Sequence, residues 1–183
     1  MRYIIVDLEA TCDESDLPPD RMETIEIGAV CLTISGGQSS GEFAAFVRPA
    51  VTRELSAYCR DLTGITQADV DNAGSFDTVF PRFVAWCEEG APFTLCSWGA
   101  YDQNQLRRDC ESHNMPFPAT FEKHINLKKQ FAARFGTRPL GMAAALRHLR
   151  IPLDGRHHRG IDDARNIAKI AAQMLPALEN DHD

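Results

Sequence analysis

Tyr3-Ile4-Ile5-Val6-Asp7-Leu8-Glu9-Ala10-Thr11-Cys12 is the stretch that decides how this chain folds. Its front half is apolar and rich in β-branched residues, the composition of a short buried strand. Asp7 and Glu9 then follow one residue apart. Strand side chains alternate, so these two carboxylates share one face while Leu8 takes the other. Two acids side by side at the end of a core strand repel each other, and burial penalises their ionisation. A basic partner or a divalent cation relieves that cost. After Arg2 no Lys or Arg stands nearby in sequence, which favours the cation. For this pair alone, acids fanning into solvent stay an open alternative.

The rest of the composition narrows the setting. A chain of 183 residues suits one domain able to bury roughly 70% of its unfolded surface. A net charge of −7 argues against a polyanion binder that relies on a broad basic face. It leaves room for a nucleic-acid enzyme whose local positive charge comes from metal ions. The cysteines at 12, 31, 59, 87, 96 and 110 form no C-x-x-C pair, so we expect reduced, packed thiols and a cytoplasmic location. The first apolar run is broken at Asp7, too early for a signal peptide, and no stretch is long enough to span a membrane.

Along the chain, residues 13–20 read as an acidic, proline-bearing loop. Strands are expected at 25–34 and 42–48, joined by the hairpin-like segment 35–41. Helices are expected at 66–70 behind a Thr66 N-cap and at 75–89, where Phe76, Val79, Phe80, Phe83 and Cys87 recur at core spacing. Residues 93–98 predict another strand, 102–114 a helix stopped before Pro116 and Pro118, and 127–135 and 140–149 two more helices. The last helix is predicted over 161–175. The pattern is α/β: a sheet whose first three strands run antiparallel, then helices around a further strand.

Three further positions carry chemistry. Asp102 follows the strand that ends near Trp98, where open α/β sheets gather ligands, although an acid in a first helical turn is also common. Near the C-terminus, His158 precedes Asp163 by five residues, a loop imidazole before an acid in the first turns of a helix. Asp162 and Asp163 equally suit helix N-terminal acids, and the basic residues around them a solvated loop.

Together these residues resemble the DEDDh-type 3′→5′ exonucleases of the ribonuclease-H-like, DnaQ-like superfamily, closest to the Eri-type exoribonuclease branch with its KapD-like proteins. Asp7-Leu8-Glu9-Ala10-Thr11-Cys12 matches the first motif, Ser97-Trp98-Gly99-Ala100-Tyr101-Asp102 the second, and His158 with Asp163 the third. Leu62-Thr63-Gly64-Ile65-Thr66-Gln67 and residues 154–168 also follow the branch. The similarity runs from about Tyr3 to Leu175. It implies a ribonuclease-H-like mixed sheet, antiparallel then parallel and flanked by helices. The expected layout is a single exonuclease domain over residues 1–183, with its core at about 3–176 and a short C-terminal tail. Because the motif begins at residue 3, no separate N-terminal nucleic-acid-binding domain, such as some Eri-type proteins carry, is expected ahead of it.

By the same resemblance, Asp7, Glu9, Asp102 and Asp163 are expected to hold two ions, and oxygen ligands favour Mg²⁺ or Mn²⁺. His158 is expected to be the general base, neutral near pH 7. Ala10 and Thr11 would contact the terminal sugar, and Trp98 and Tyr101 would offer stacking surfaces, with a core role for Trp98 equally open. His157 and Asp162 fall outside the matching register. Arg156, Arg159 and Lys128-Lys129 are candidate phosphate contacts. The implied activity is hydrolysis of single-stranded RNA from its 3′ end to nucleoside 5′-monophosphates, with single-stranded DNA as an additional substrate and any protein partner unknown. A DNA proofreading or repair exonuclease and a non-catalytic regulatory protein on the same fold remain the alternatives.

Overall fold

The computed structural model describes residues 1–15, 17–33 and 39–180. Its strands are β1 (Arg2–Ala10), β2 (Thr24–Thr33), β3 (Ser39–Arg48), β4 (Gly74–Ser75), β5 (Phe93–Ser97) and β6 (His124–Asn126). The α-helices are α1 (Ala57–Thr63), α2 (Gln67–Asp71), α3 (Phe76–Glu88), α4 (Tyr101–Ser112), α5 (Leu127–Phe135), α6 (Met142–His148) and α7 (Gly160–Asn180). One mixed sheet carries all six strands in the order β4-β3-β2-β1-β5-β6. β1, β2 and β3 pair antiparallel, whereas β5 lies parallel to β1 and β6 parallel to β5. The expected mixed topology is therefore present.

The alternation read from Tyr3 to Glu9 sorts the core into two layers. Tyr3 and Ile5 face one way and pack with Phe131, Leu146, Ile167 and Ala171 of the α5–α7 layer. Ile4, Val6 and Leu8 face the other way and pack with Phe76, Phe80, Phe83 and Leu106. Asp7 and Glu9 continue the Tyr3–Ile5 parity, so they emerge beneath α7, where the register shifts between Glu9 and Ala10. A third cluster, built on Ile25, Leu55, Cys59, Ile65 and Val70, seats α1 and α2 beside the end of β1.

The element boundaries depart from the sequence reading where elements are short. β3 starts at Ser39, three residues earlier than expected, and most of the connecting segment (34–38) lies outside the described residues. α1, β4 and β6 were not anticipated, because seven, two and three residues are too few to establish a period. α4 stops at Ser112 rather than at 114, and Asn114 at φ 53 turns the chain. The Thr66 cap is present as a full capping box with Asp69. α7 runs five residues past the expected end, and 181–183 of the tail lie outside the described residues.

α7 reaches the sheet through a close backbone crossing. Gly28 pairs with Asp7 across β1 and β2. A Cβ on Gly28 would stand 2.1 Å from the Gly160 carbonyl carbon, so only glycine lets the first turn of α7 lie on the strand. Gly28→Ala is expected to cost about 1–3 kcal/mol through this overpacking. Thermal unfolding followed by circular dichroism should show the loss. Gly41→Ala, whose Cβ would meet only the Trp86 ring at 3.8 Å, is the comparison expected to cost far less.

Candidate active site

Three elements and one loop converge at the carboxyl end of β1. β1 delivers Asp7 and Glu9, α4 delivers Asp102 as its second residue, and α7 delivers Asp163 in its first turn. One carboxylate oxygen from each of Asp7, Glu9 and Asp163 lies within 4.8 Å of the others. Asp102 opens on the same cleft, but its Oδ1 accepts a hydrogen bond from the Leu8 N–H at 3.1 Å, tying α4 to β1. The cleft holds about 410 Å³ and is also lined by Ala10, Thr11, Met22, Leu62, Trp98, Tyr101, His157 and His158. All nine residues expected at the site therefore border one cavity.

The electrostatics of this cluster are unbalanced. Burial first, and then the charges of Asp102, Glu9, Asp163 and Glu26, push the Asp7 carboxyl well above its ordinary range. Burial, then Asp163, Glu26 and Asp102, raise Glu9 from 4.5 to about 8. Asp102 rises to about 6 through burial, against hydrogen bonds from the Leu8 N–H and Ser97 that favour its ionised form. Among the described residues no Lys or Arg forms an ion pair with Asp7, Glu9 or Asp102. A set of crowded oxygen donors without a basic partner fits a hard divalent cation. The preference for a cation over a basic partner, drawn from the amino-acid sequence, agrees with this geometry.

The loop before α7 folds back on Asp163. The Asp163 Oδ2 accepts the His158 backbone N–H at 2.9 Å and contacts His157 Nδ1 at 2.8 Å. His158 adopts φ 66, and its ring stacks on that of His157 at 4.0 Å between centroids. Among the described residues neither ring nitrogen of His158 has a hydrogen-bond partner, whereas His157 spends Nδ1 on Asp163. Burial, followed by the neighbouring His157, holds the His158 imidazole below its usual pKa, against the opposing pull of Asp163.

Several expected contacts are already committed within the protein. Thr11 donates its N–H to the Glu23 carbonyl at 2.9 Å and accepts the Glu23 N–H on Oγ1 at 3.0 Å. Trp98 combines both readings, since it borders the cleft while its Nε1 donates to the Leu140 carbonyl at 3.0 Å and its ring packs on Phe131. Tyr101 is the more open ring, 41% exposed. Arg156 donates to the Asp61 carbonyl at 2.8 Å and lies over Gly64, and Arg159 pairs with Glu26, so neither is a free phosphate contact.

Glu26 is a residue the sequence reading missed. It sits opposite Glu9, only 2% exposed, and accepts from Arg159 Nε at 3.1 Å and from the Gly160 N–H at 3.0 Å. It therefore fastens the start of α7, and with it Asp163, to β2. A lone acid inside the apolar run Ile25–Ile27 was the available signal.

Comparison with known proteins places this geometry in context. The exonuclease family (RNase_T) matches residues 4–171. The chain is 34% identical to the 3′-5′ exoribonuclease 1 of Rattus norvegicus over 93% of this chain and 52% of that protein. It superposes on the nuclease domain of 3′hExo, a DEDDh family member bound to rAMP, with TM-score 0.90, 33% identity and coverage of 96% and 92%. A 3′-exonuclease structure concerned with 3′-end-specific recognition of histone mRNA stem-loop aligns with TM-score 0.91 at 32% identity, covering 96% of this chain and 64% of that one. The chain spans about half the length of the curated exoribonucleases 1 that it matches.

The raised carboxyl pKa values have a thermodynamic sign. An acid whose folded pKa is raised binds its proton more tightly folded than unfolded, so its contribution is present below the unfolded pKa and fades as pH rises. For Glu9 the window runs from 4.5 to about 8. In chelator, the melting temperature is expected to fall across that window. Glu9→Gln should flatten the slope and stabilise the metal-free protein at pH 8.5 by on the order of 2 kcal/mol, or roughly 4–8 °C. Millimolar Mn²⁺ should raise the wild-type melting temperature more at pH 8 than at pH 5, because binding needs the ionised carboxylates. Differential scanning calorimetry reads all three, and a metal-induced shift independent of pH would contradict the assignment.

Proposed function

The chain belongs to the exonuclease (RNase_T) family, in its DEDDh, Eri-type branch, and on that premise we propose that it hydrolyses single-stranded RNA from the 3′ end, releasing nucleoside 5′-monophosphates. The observation that carries this reading is the convergence of Asp7, Glu9 and Asp163 in a cleft that Asp102 and His158 also line. The activity of the relatives, 3′-5′ exoribonuclease, supports RNA over DNA, with single-stranded DNA as a secondary substrate.

Asp7, Glu9, Asp102 and Asp163 would hold two Mg²⁺ or Mn²⁺ ions. When bound, such ions supply Lewis-acid stabilisation of the entering and departing oxygens at phosphorus. The protein's own groups do the rest. His158 accepts the proton of the attacking water on a ring nitrogen that no protein group occupies, and its lowered pKa keeps the imidazole neutral near pH 7. The water oxygen bonds to the terminal phosphorus as the 3′-oxygen of the penultimate nucleotide departs. His157 steadies Asp163 through Nδ1. The cleft wall at Ala10, Thr11 and Trp98 limits how far the terminal nucleoside enters, and Tyr101 offers an exposed ring for base stacking. The unpaired state of all six cysteines supports a reducing, cytoplasmic location.

With a 5′-labelled oligoribonucleotide and Mn²⁺, the wild-type protein is expected to give a ladder of shortened products that chelator abolishes. Asp7→Asn and Asp163→Asn should remove the ladder while circular dichroism stays native. His158→Ala should lower kcat by about 10²–10⁴-fold, the range of a lost general base, with Mn²⁺ binding retained. His157→Ala should cost less. A full ladder from Asp7→Asn would end the assignment.

A further inference from the structure

A cavity larger than the catalytic cleft lies beside it. It holds about 610 Å³ between the 17–23 loop, residues 50–52 and the flank of α4. Met22 lines both cavities, and the Tyr101 hydroxyl meets the Met22 sulfur at 3.4 Å, so the two adjoin at this side chain. The catalytic cleft alone, at about 410 Å³, lies toward the small end of ligand sites, which span about 300–1,000 Å³.

Two guanidiniums, Arg21 and Arg108, line this second cavity together with Asp20, Glu23 and Asp109. Glu23 is spent on the N–H groups of Ala50, Val51 and Thr52, the shortest at 2.6 Å. Asp109, 3% exposed, is spent on Thr24 Oγ1 at 2.6 Å and Gln105 Nε2 at 3.2 Å. Among the described residues Arg108, by contrast, hydrogen-bonds only through Nη2, to Gln105 at 2.7 Å, and its Nε is buried without a partner. Among the described residues neither Arg108 nor Arg21 pairs with a carboxylate. Arg108 also stands 5.9 Å from the Tyr101 ring centroid, which links the cation to the exposed ring at the catalytic mouth. Glu23 and Asp109 thus offer no free acceptor to the two guanidiniums, while the rim acid Asp20, which lines the cavity with them, adds a further negative charge.

We propose that the RNA strand upstream of the scissile linkage passes over Tyr101 and Met22 into this second cavity, where Arg108 and Arg21 take its backbone phosphates. The inference rests on the catalytic reading above and adds to it a second stretch of substrate contact. Guanidinium groups suit this task because their fixed fork of donors matches phosphate oxygens. A substrate of two nucleotides would end before the second cavity, whereas one of eight would fill it. The protein should therefore prefer longer strands, and this preference should be salt-dependent.

The test compares 5′-labelled ribonucleotides of two and eight residues in Mn²⁺. For wild type, KM is expected to be lower for the octamer. Arg21→Ala with Arg108→Ala should lower the ratio of octamer to dimer kcat/KM about tenfold, taking about 0.7 kcal/mol for each lost surface contact. Asp20→Asn should raise that ratio. Arg21→Ala alone, at an exposed position, guards against a folding defect in the double variant. Fluorescence anisotropy of a labelled octamer, which needs no turnover, reads the same loss as a weakened Kd. A folded double variant with wild-type ratio and wild-type Kd overturns the proposal. Absence of cleavage of either substrate by wild type would overturn the catalytic reading instead, and the anisotropy result would still decide this one.

Discussion

Like-charge repulsion inside a desolvated cleft is the constraint on which this structure turns. Asp7, Glu9 and Asp163 present oxygens within 4.8 Å of each other, and no basic side chain among the described residues pairs with Asp7 or Glu9. Left to themselves these groups would separate or take up protons, as the raised values of Asp7 and Glu9 show. The fold must therefore hold them by force applied elsewhere. β1 is paired with β2 from Arg2 to Ala10 and with β5 from Arg2 to Ile5, and apolar layers cover both its faces, so Asp7 and Glu9 cannot withdraw.

The opposing acid is held by a different device. The first turn of α7 is secured to β2 as well as to the loop that precedes it. Gly28 admits the backbone of Gly160, and Glu26 accepts the Gly160 N–H together with the Arg159 guanidinium. Glu26 thus does two opposed things: it anchors the helix that carries Asp163, and its own charge adds to the burden on Glu9 and Asp7. Pairing with Arg159 offsets part of that second effect, which explains why a further buried acid is tolerated so close to the cluster.

What could be read from the sequence follows from how local each signal is. The shared face of Asp7 and Glu9 is a property of strand geometry, so it needed no knowledge of neighbours, and the structure places both beneath α7. The amphipathic stripe of α3 and the Thr66 cap were legible for the same reason. Asp102, His158 and Asp163 had little force as isolated residues and became a site only through resemblance to a family pattern. Glu26 stayed hidden because its function depends on Gly160, 134 positions away, and Gly28 because it meets the same turn of α7. Arg156 and Arg159 looked like phosphate contacts because a free and a committed arginine are the same letter. Arg108, inside an unremarkable helix, pairs with no carboxylate among the described residues.

The separation between Asp7 and Asp163 also has a consequence for biosynthesis. The first acid leaves the ribosome with β1, while its counterpart arrives only with α7, after the whole sheet has been made. Because α7 docks on β2 through the Gly28–Gly160 crossing, no translation product that lacks this helix can gather the four carboxylates. The cluster of acids thus stays incomplete on any nascent chain from which this helix has not yet emerged.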